Sequence, residues 1–164
     1  MKKLLAGFCL GLIGLLVWGW LQCPCSRIPG TGLSGNLQVG SVDDWRFVNE
    51  VELCQIEVSA VIPWSVNLNC MSSESGELYF SCSRCEGKTW STAALSNPRA
   101  RLRVNEDVYP IHLSRVSDSD ELDIAWQARS KKLIRLGRSF ASNPRARPGH
   151  WWSFSGQSIT PPNL

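Results

Sequence analysis

"LYFSCSRCEGKTWSTAALSNPRARLRV", residues 78–104, decides how the chain folds. It opens with period-two alternation at Leu78, Phe80 and Cys82, which marks a half-buried strand. A loop follows that holds a Cys-x-x-Cys pair, Arg84, Gly87 and Lys88. Residues 90–95 then have helical composition, and "SNP" at 96–98 ends that short helix, because the residue before proline avoids the α region. Alternation resumes at Leu102 and Val104. The stretch reads as strand, loop, short helix, strand.

The same alternation extends outward on both sides. Upstream, Cys54, Ile56, Val58, Ala60 and Ile62 form one strand, and Val66, Leu68 and Cys70 a second, joined near Pro63. "SSESGE", residues 72–77, is a polar hairpin turn in which Gly76 is free to take positive φ. Downstream, "NED" turns the chain into a strand at Tyr109, Ile111 and Leu113, where Pro110 predicts an edge or a bulge. "HWWSFSG", residues 150–156, reads as a sixth strand. Between these two, "SDSDEL" starts one long helix, with Ser117 and Asp120 spaced as a capping box. Leu122, Ala125, Trp126, Leu133 and Leu136 give it an apolar face. Arg129, Lys131, Lys132, Arg135 and Arg138 read as its solvated face. The fold class that follows is mainly β within α+β: a small antiparallel barrel with one short internal helix and one longer late helix.

The chain has 164 residues and a net charge of +3. That leaves room for one domain with an adequate core and excludes a multidomain enzyme. No concentrated basic stripe is present, so nucleic acid is not an expected partner. Lys2 and Lys3 precede an uncharged apolar run over residues 4–21, with Trp18 and Trp20 at its far end. Eighteen helical residues span about 27 Å, close to the hydrocarbon thickness of a bilayer. No small-x-small site follows the run, which favours a retained anchor over a cleaved or lipidated leader. The two lysines hold the N-terminus inside, so the expectation is a single-pass protein of the inner (cell) membrane with its C-terminal domain on the periplasmic or extracellular side. The chain divides into an anchor or uncleaved signal over 1–22, a Cys/Pro/Gly/Ser linker over 23–41, a barrel domain over 42–156 and a tail over 157–164. "GTGLSG" at 30–35 spells a dinucleotide fingerprint, but lacks the flanking strand and helix and reads as linker. "SNPRAR" at 96 and again at 142 has different flanks each time, so it is chance or reuse of a local turn.

Cys82 and Cys85 form a Cys-x-x-Cys outside any βαβ context, which weakens a thioredoxin-like reading. Zinc needs two further ligands, for which Cys54 and Cys70 are the candidates in the domain. Their place in the alternation makes these two either small buried hydrophobes or a disulfide pair. In an oxidising compartment the ordinary outcome is one or two disulfides. No metal site is expected. His112 and His150 have no neighbouring triad motif, and no catalytic residue is assigned.

The quoted stretch resembles the central segment of the FMN-binding split-barrel proteins, the pyridoxamine-phosphate-oxidase-like and deazaflavin-dependent nitroreductase-like group. Ser83, Arg84, Gly87, Lys88, Leu95, Asn97 and Pro98 are the matching positions, and "VYPIHLSRVSDSDELDIAWQARSKK" is similar to the strand and capped helix that follow in that group. The resemblance implies a split β-barrel, FMN as cofactor, a homodimer with the cofactor at its interface, and a small-molecule substrate. Ser83, Arg84 and Lys88 would hold the flavin phosphate, with Thr89 and Ser91 beside them at the helix start and Trp90 flanking the ring or pocket. "PWSVNLNCM", residues 63–71, lacks the arginine that the oxidase branch places there, and vitamin B6 oxidation is not expected. Two functions from different classes follow: a membrane-anchored FMN-dependent oxidoreductase, or a non-catalytic barrel displayed outside the membrane as a binding or assembly module.

Overall fold

The structure is a computed structural model and describes residues 2–21, 29–82, 84–138 and 146–160. The N-terminal run forms α1 (Lys2–Leu21). Its side chains are described over residues 7–20, and among these Phe8, Leu10, Leu15 and Leu16 are well exposed. Among the described residues no helix is long and apolar enough to cross a membrane.

Beyond it lie β1 (Asn36–Leu37), a 3-10 helix (Arg46–Glu50), β2 (Cys54–Ser59), β3 (Pro63–Ser72), β4 (Leu78–Ser81), α2 (Thr89–Ser96), β5 (Arg99–Val104), β6 (Asp107–Arg115), α3 (Ser119–Arg135) and β7 (Ser153–Ser158). Strand order is β1-β6-β5-β2-β3-β4-β7, and β7 also pairs with β6. That last pairing closes β2 to β7 into a six-stranded barrel whose neighbours are all antiparallel. Closure removes the exposed edges that an open sheet would leave.

Alternation sorts the side chains. Ile56, Val58, Leu68, Leu78, Phe80, Leu102, Ile111, Leu113 and Phe154 fill the interior. Met71 and Tyr79 point outward instead, beneath Ala125, Ala128 and Trp151, so α3 covers the outside of β3 and β4. The barrel is therefore a packed core, with its grooves on the surface.

Three local expectations are corrected. The α3 cap is Asp118, whose carboxylate accepts the Glu121 N–H at 2.9 Å, one residue later than the Ser117 box. Aspartate caps as well as serine, so two overlapping boxes competed and the second matches the helix start. Pro110 sits in β6 between two neighbours, not at an edge. Its carbonyl accepts from Ile159 N just where β7 ends, so the missing N–H removes only the bond that would have extended β7. Lys132, read as part of a solvated face, is 4% exposed.

The stretch expected as linker includes an ordered strap. Gly30 and Ser65 exchange two backbone hydrogen bonds of 2.9 and 3.0 Å. The chain then crosses β2 and β5, where Glu57 accepts from Leu33 N and from Arg101, and Arg103 donates to Ser34 O. It ends as β1, parallel to the start of β6. β7 runs to Ser158, two residues into the expected tail.

Candidate functional site

The expected phosphate loop joins β4 to α2 at one rim of the barrel. A Cys82–Cys85 disulfide with Cα atoms 5.5 Å apart closes its first turn. Glu86 and Gly87 then turn the chain, with Gly87 at φ 71°, a conformation that suits glycine. Lys88 N donates to Cys85 O at 3.2 Å, and Lys88 O accepts the Thr92 N–H as the α2 N-cap. Among the described residues no side chain caps this helix start, so its first amides and their partial positive charge are left to other partners.

The six predicted site residues divide by environment. Arg84, Lys88 and Thr89 are exposed around the helix start, and neither cation has an ion pair among the described residues. Trp90 is 4% exposed, with its ring 5.2 Å from that of Phe154, and closes the barrel end. The Ser91 hydroxyl is buried and donates back to Cys85 O and Lys88 O. Ser83 lies outside the described residues.

Topology places more at this rim. β2, β4 and β6 end here, and β3, β5 and β7 begin. The β2–β3 hairpin tip exposes Val61 completely and Ile62 by 45%. Val58 faces Ala100 across the β2–β5 pair, so exposed Arg99 stands one step on, at the base of that tip. Arg115 lies over the Trp152 ring at 3.8 Å.

The opposite rim holds what the sequence reading missed. β3 loses its β2 partner after Leu68, which leaves one edge of residues 69–72 without a strand. Asn49 fills part of the gap: its amide donates to Ser72 O at 3.1 Å and accepts Ser72 N at 2.9 Å. Lys132 Nζ fills the rest, donating to Val48 O at 2.8 Å and Cys70 O at 2.6 Å. Burial pushes the Lys132 ammonium down to about 8, helped by the nearby Arg135 and opposed by Glu50. Beside it a Cys54–Cys70 disulfide, Cα atoms 5.7 Å apart, ties β2 to β3 where they separate. The signal for Lys132 was its spacing, four and seven residues after buried Ala128 and Ala125.

A groove of about 410 Å³ lies over this lysine, between the 3-10 helix and α3. Apart from Lys132, its cations are ion-paired within the chain: Arg46 with Asp44, Lys131 with Glu74, and Arg135 with Glu50. Among the described residues no group of three or more His, Cys, Asp or Glu side chains is placed to hold a metal.

No family model matches the chain. No curated protein matches it. Among solved structures it is similar to a NimC/NimA family protein from Clostridium acetobutylicum, at 9% identity over 67% of this chain and 76% of that one, with a TM-score of 0.48.

Proposed function

We propose that the barrel is a binding or assembly module displayed on the outer side of the cell membrane and tethered there by the apolar N-terminal run of residues 4–21. Support for the tether comes from the uncharged run over residues 4–21, behind Lys2 and Lys3, and from its exposed apolar side chains. Support for the outer side comes from two disulfides, which persist in oxidising compartments. One observation carries the module reading. The disulfide-closed loop turns Trp90 and Ser91 inward and leaves Arg84, Lys88 and Thr89 outward, a surface for an anion rather than a reaction pocket.

A second reading is an FMN-dependent oxidoreductase acting on a small molecule, with two copies paired around the cofactor. It is favoured by those same three exposed groups at an uncapped helix start, which suit a phosphate. The residues fit FMN in part: the phosphate finds Arg84, Lys88 and Thr89, while Trp90 is committed to the core and has no free face for the ring. When bound, FMN supplies hydride chemistry, and the chain would supply the phosphate grip.

One experiment separates the two. The full chain is purified in mild detergent, incubated with excess FMN, desalted and read by visible absorption. The module reading expects no retained flavin. A flavin band that disappears in the Arg84→Ala/Lys88→Ala variant would replace it with the oxidoreductase reading.

A further inference from the structure

We infer that the rim carrying α2 is a membrane-docking face, on which the hairpin tip at residues 60–64 enters the bilayer interface and Arg84, Lys88 and Arg99 meet the lipid phosphates around it. The inference rests on the tether proposed above and names the partner of that module.

The tip itself is the first observation. A tight hairpin is normally made of Gly, Asn, Asp or Ser, which tolerate turn geometry and water. Here it reads Ala-Val-Ile-Pro-Trp. Val61 is fully exposed, Ile62 and Pro63 are exposed, and Trp64 is half-buried behind them. Leu95 adds a further exposed apolar group on α2, which packs against β2 and β3 at the same end. Tryptophan next to aliphatic side chains is the composition that settles at the boundary between headgroups and acyl chains.

The path of the chain selects this rim over the other. Residues 22–29, eight residues, separate the end of α1 from Gly30. At about 3.3–3.6 Å per residue the path from Leu21 to Gly30 reaches no more than about 32 Å. Gly30 is bonded to Ser65, two residues inside the start of β3 at Pro63, so the chain joins the barrel beside the tip. Only after crossing β2 and β5 does it reach β1, at the far rim. Because the chain enters the barrel beside the tip, that rim is the one the connection from the bilayer reaches first.

Charge agrees with this placement. Arg84, Lys88 and Arg99 are exposed and without ion pairs among the described residues, with Glu86 the acid in the loop. At the far rim Arg46, Lys131, Arg135 and Arg138 each face an acid of the chain itself. An apolar tip flanked by free cations matches a phospholipid surface, in which apolar chains lie beneath a layer of phosphates.

The test uses the full chain in bilayer nanodiscs of phosphatidylcholine with one-third phosphatidylglycerol, which leave both faces open to solutes. Cys9, Cys23 and Cys25 are replaced by Ser, and a spin label is placed at Val61→Cys or, at the far rim, at exposed Val39→Cys. Retention of the Cys54–Cys70 and Cys82–Cys85 disulfides checks the fold. Docking predicts that collisions with oxygen exceed those with an aqueous nickel chelate several-fold at position 61, with the opposite ratio at position 39. Ile62→Asp should bring position 61 to the ratio of position 39, and Arg84→Ala/Lys88→Ala/Arg99→Ala should move it part of the way. If position 61 is as open to nickel as position 39 while the chain co-elutes with nanodiscs, the docking face is wrong and the tether stands. If the chain does not co-elute with nanodiscs, tether and docking face fall together.

Discussion

The two rims of the barrel satisfy their polar groups by opposite means. Under the 3-10 helix, cations face acids of the same chain, Asn49 takes the Ser72 groups of an unpartnered strand edge, and Lys132 bridges that edge at Cys70 O to Val48 O of the 3-10 helix. The disulfide there joins residues 16 apart and ties two strands together. Under α2, Arg84, Lys88 and Arg99 stay unpaired among the described residues, Val61 meets solvent, and the disulfide joins residues only three apart. A loop that short constrains the unfolded chain less, so that bond shapes the loop more than it stabilises the fold. The cations of one rim are paired internally, while the other keeps cations that an outside surface can satisfy. Stability should therefore reside at the first and recognition at the second.

Trp90 is the strongest way to break that division, because it belongs to the recognition rim yet is buried against Phe154. Trp90→Ala should cost about 3–5 kcal/mol in urea unfolding, the range for a deleted core aromatic. A loss below about 1 kcal/mol would return Trp90 to the ligand side of the loop. Next is the Cys54→Ser/Cys70→Ser pair, which should lose about 3 kcal/mol, the chain-entropy value for a loop of roughly this length. If opening Cys82–Cys85 costs as much, the two rims are not divided as described.

Lys132→Met sharpens the comparison through pH. The substitution leaves Val48 O and Cys70 O without their donor and should cost about 1–3 kcal/mol at neutral pH. In the parent the lysine titrates near 8 in the fold against its ordinary 10.5, so between those values the unfolded chain binds more protons. Relative to Lys132→Met, the parent should then gain stability as pH rises from about 8 toward about 10. In both chains Tyr79 and Tyr109, held above their ordinary value by burial, pull the curve down as pH nears 10, so the difference between the two curves is the readout. A parent curve that falls relative to Lys132→Met across that window would mean that the two carbonyls hold the ammonium more strongly than burial opposes it. The smallest effect belongs to Arg84→Ala/Lys88→Ala, which should change unfolding by less than about 0.5 kcal/mol. A larger loss would show that these cations serve the fold.

Much of the architecture was legible because its signal is local. Alternation at Cys54, Ile56 and Val58, at Leu78 and Phe80, and at Leu102 and Val104 needs no knowledge of partners, since successive strand residues face opposite sides in any sheet. The short helix expected over residues 90–95 lies within one residue of Thr89–Ser96 at each end, because Pro98 punctuates it. The loop cations were equally plain. Their environment was not, because exposure depends on what packs nearby: Ser91 turned inward to Cys85 O, and Trp90 found Phe154, 64 residues on.

Local order, then, lay in the residues themselves, in their alternation, breakers and caps. Three-dimensional contact alone settled the rest. The β6–β7 pairing closed the barrel, and Cys54 met Cys70 rather than another thiol. Lys132 reached carbonyls 62 and 84 residues away, and Pro110 was placed where its absent N–H removes one terminal bond. Each of these depends on register between segments far apart in the chain. A shift of one residue in that register would turn the buried face outward, and no short window of sequence contains both partners.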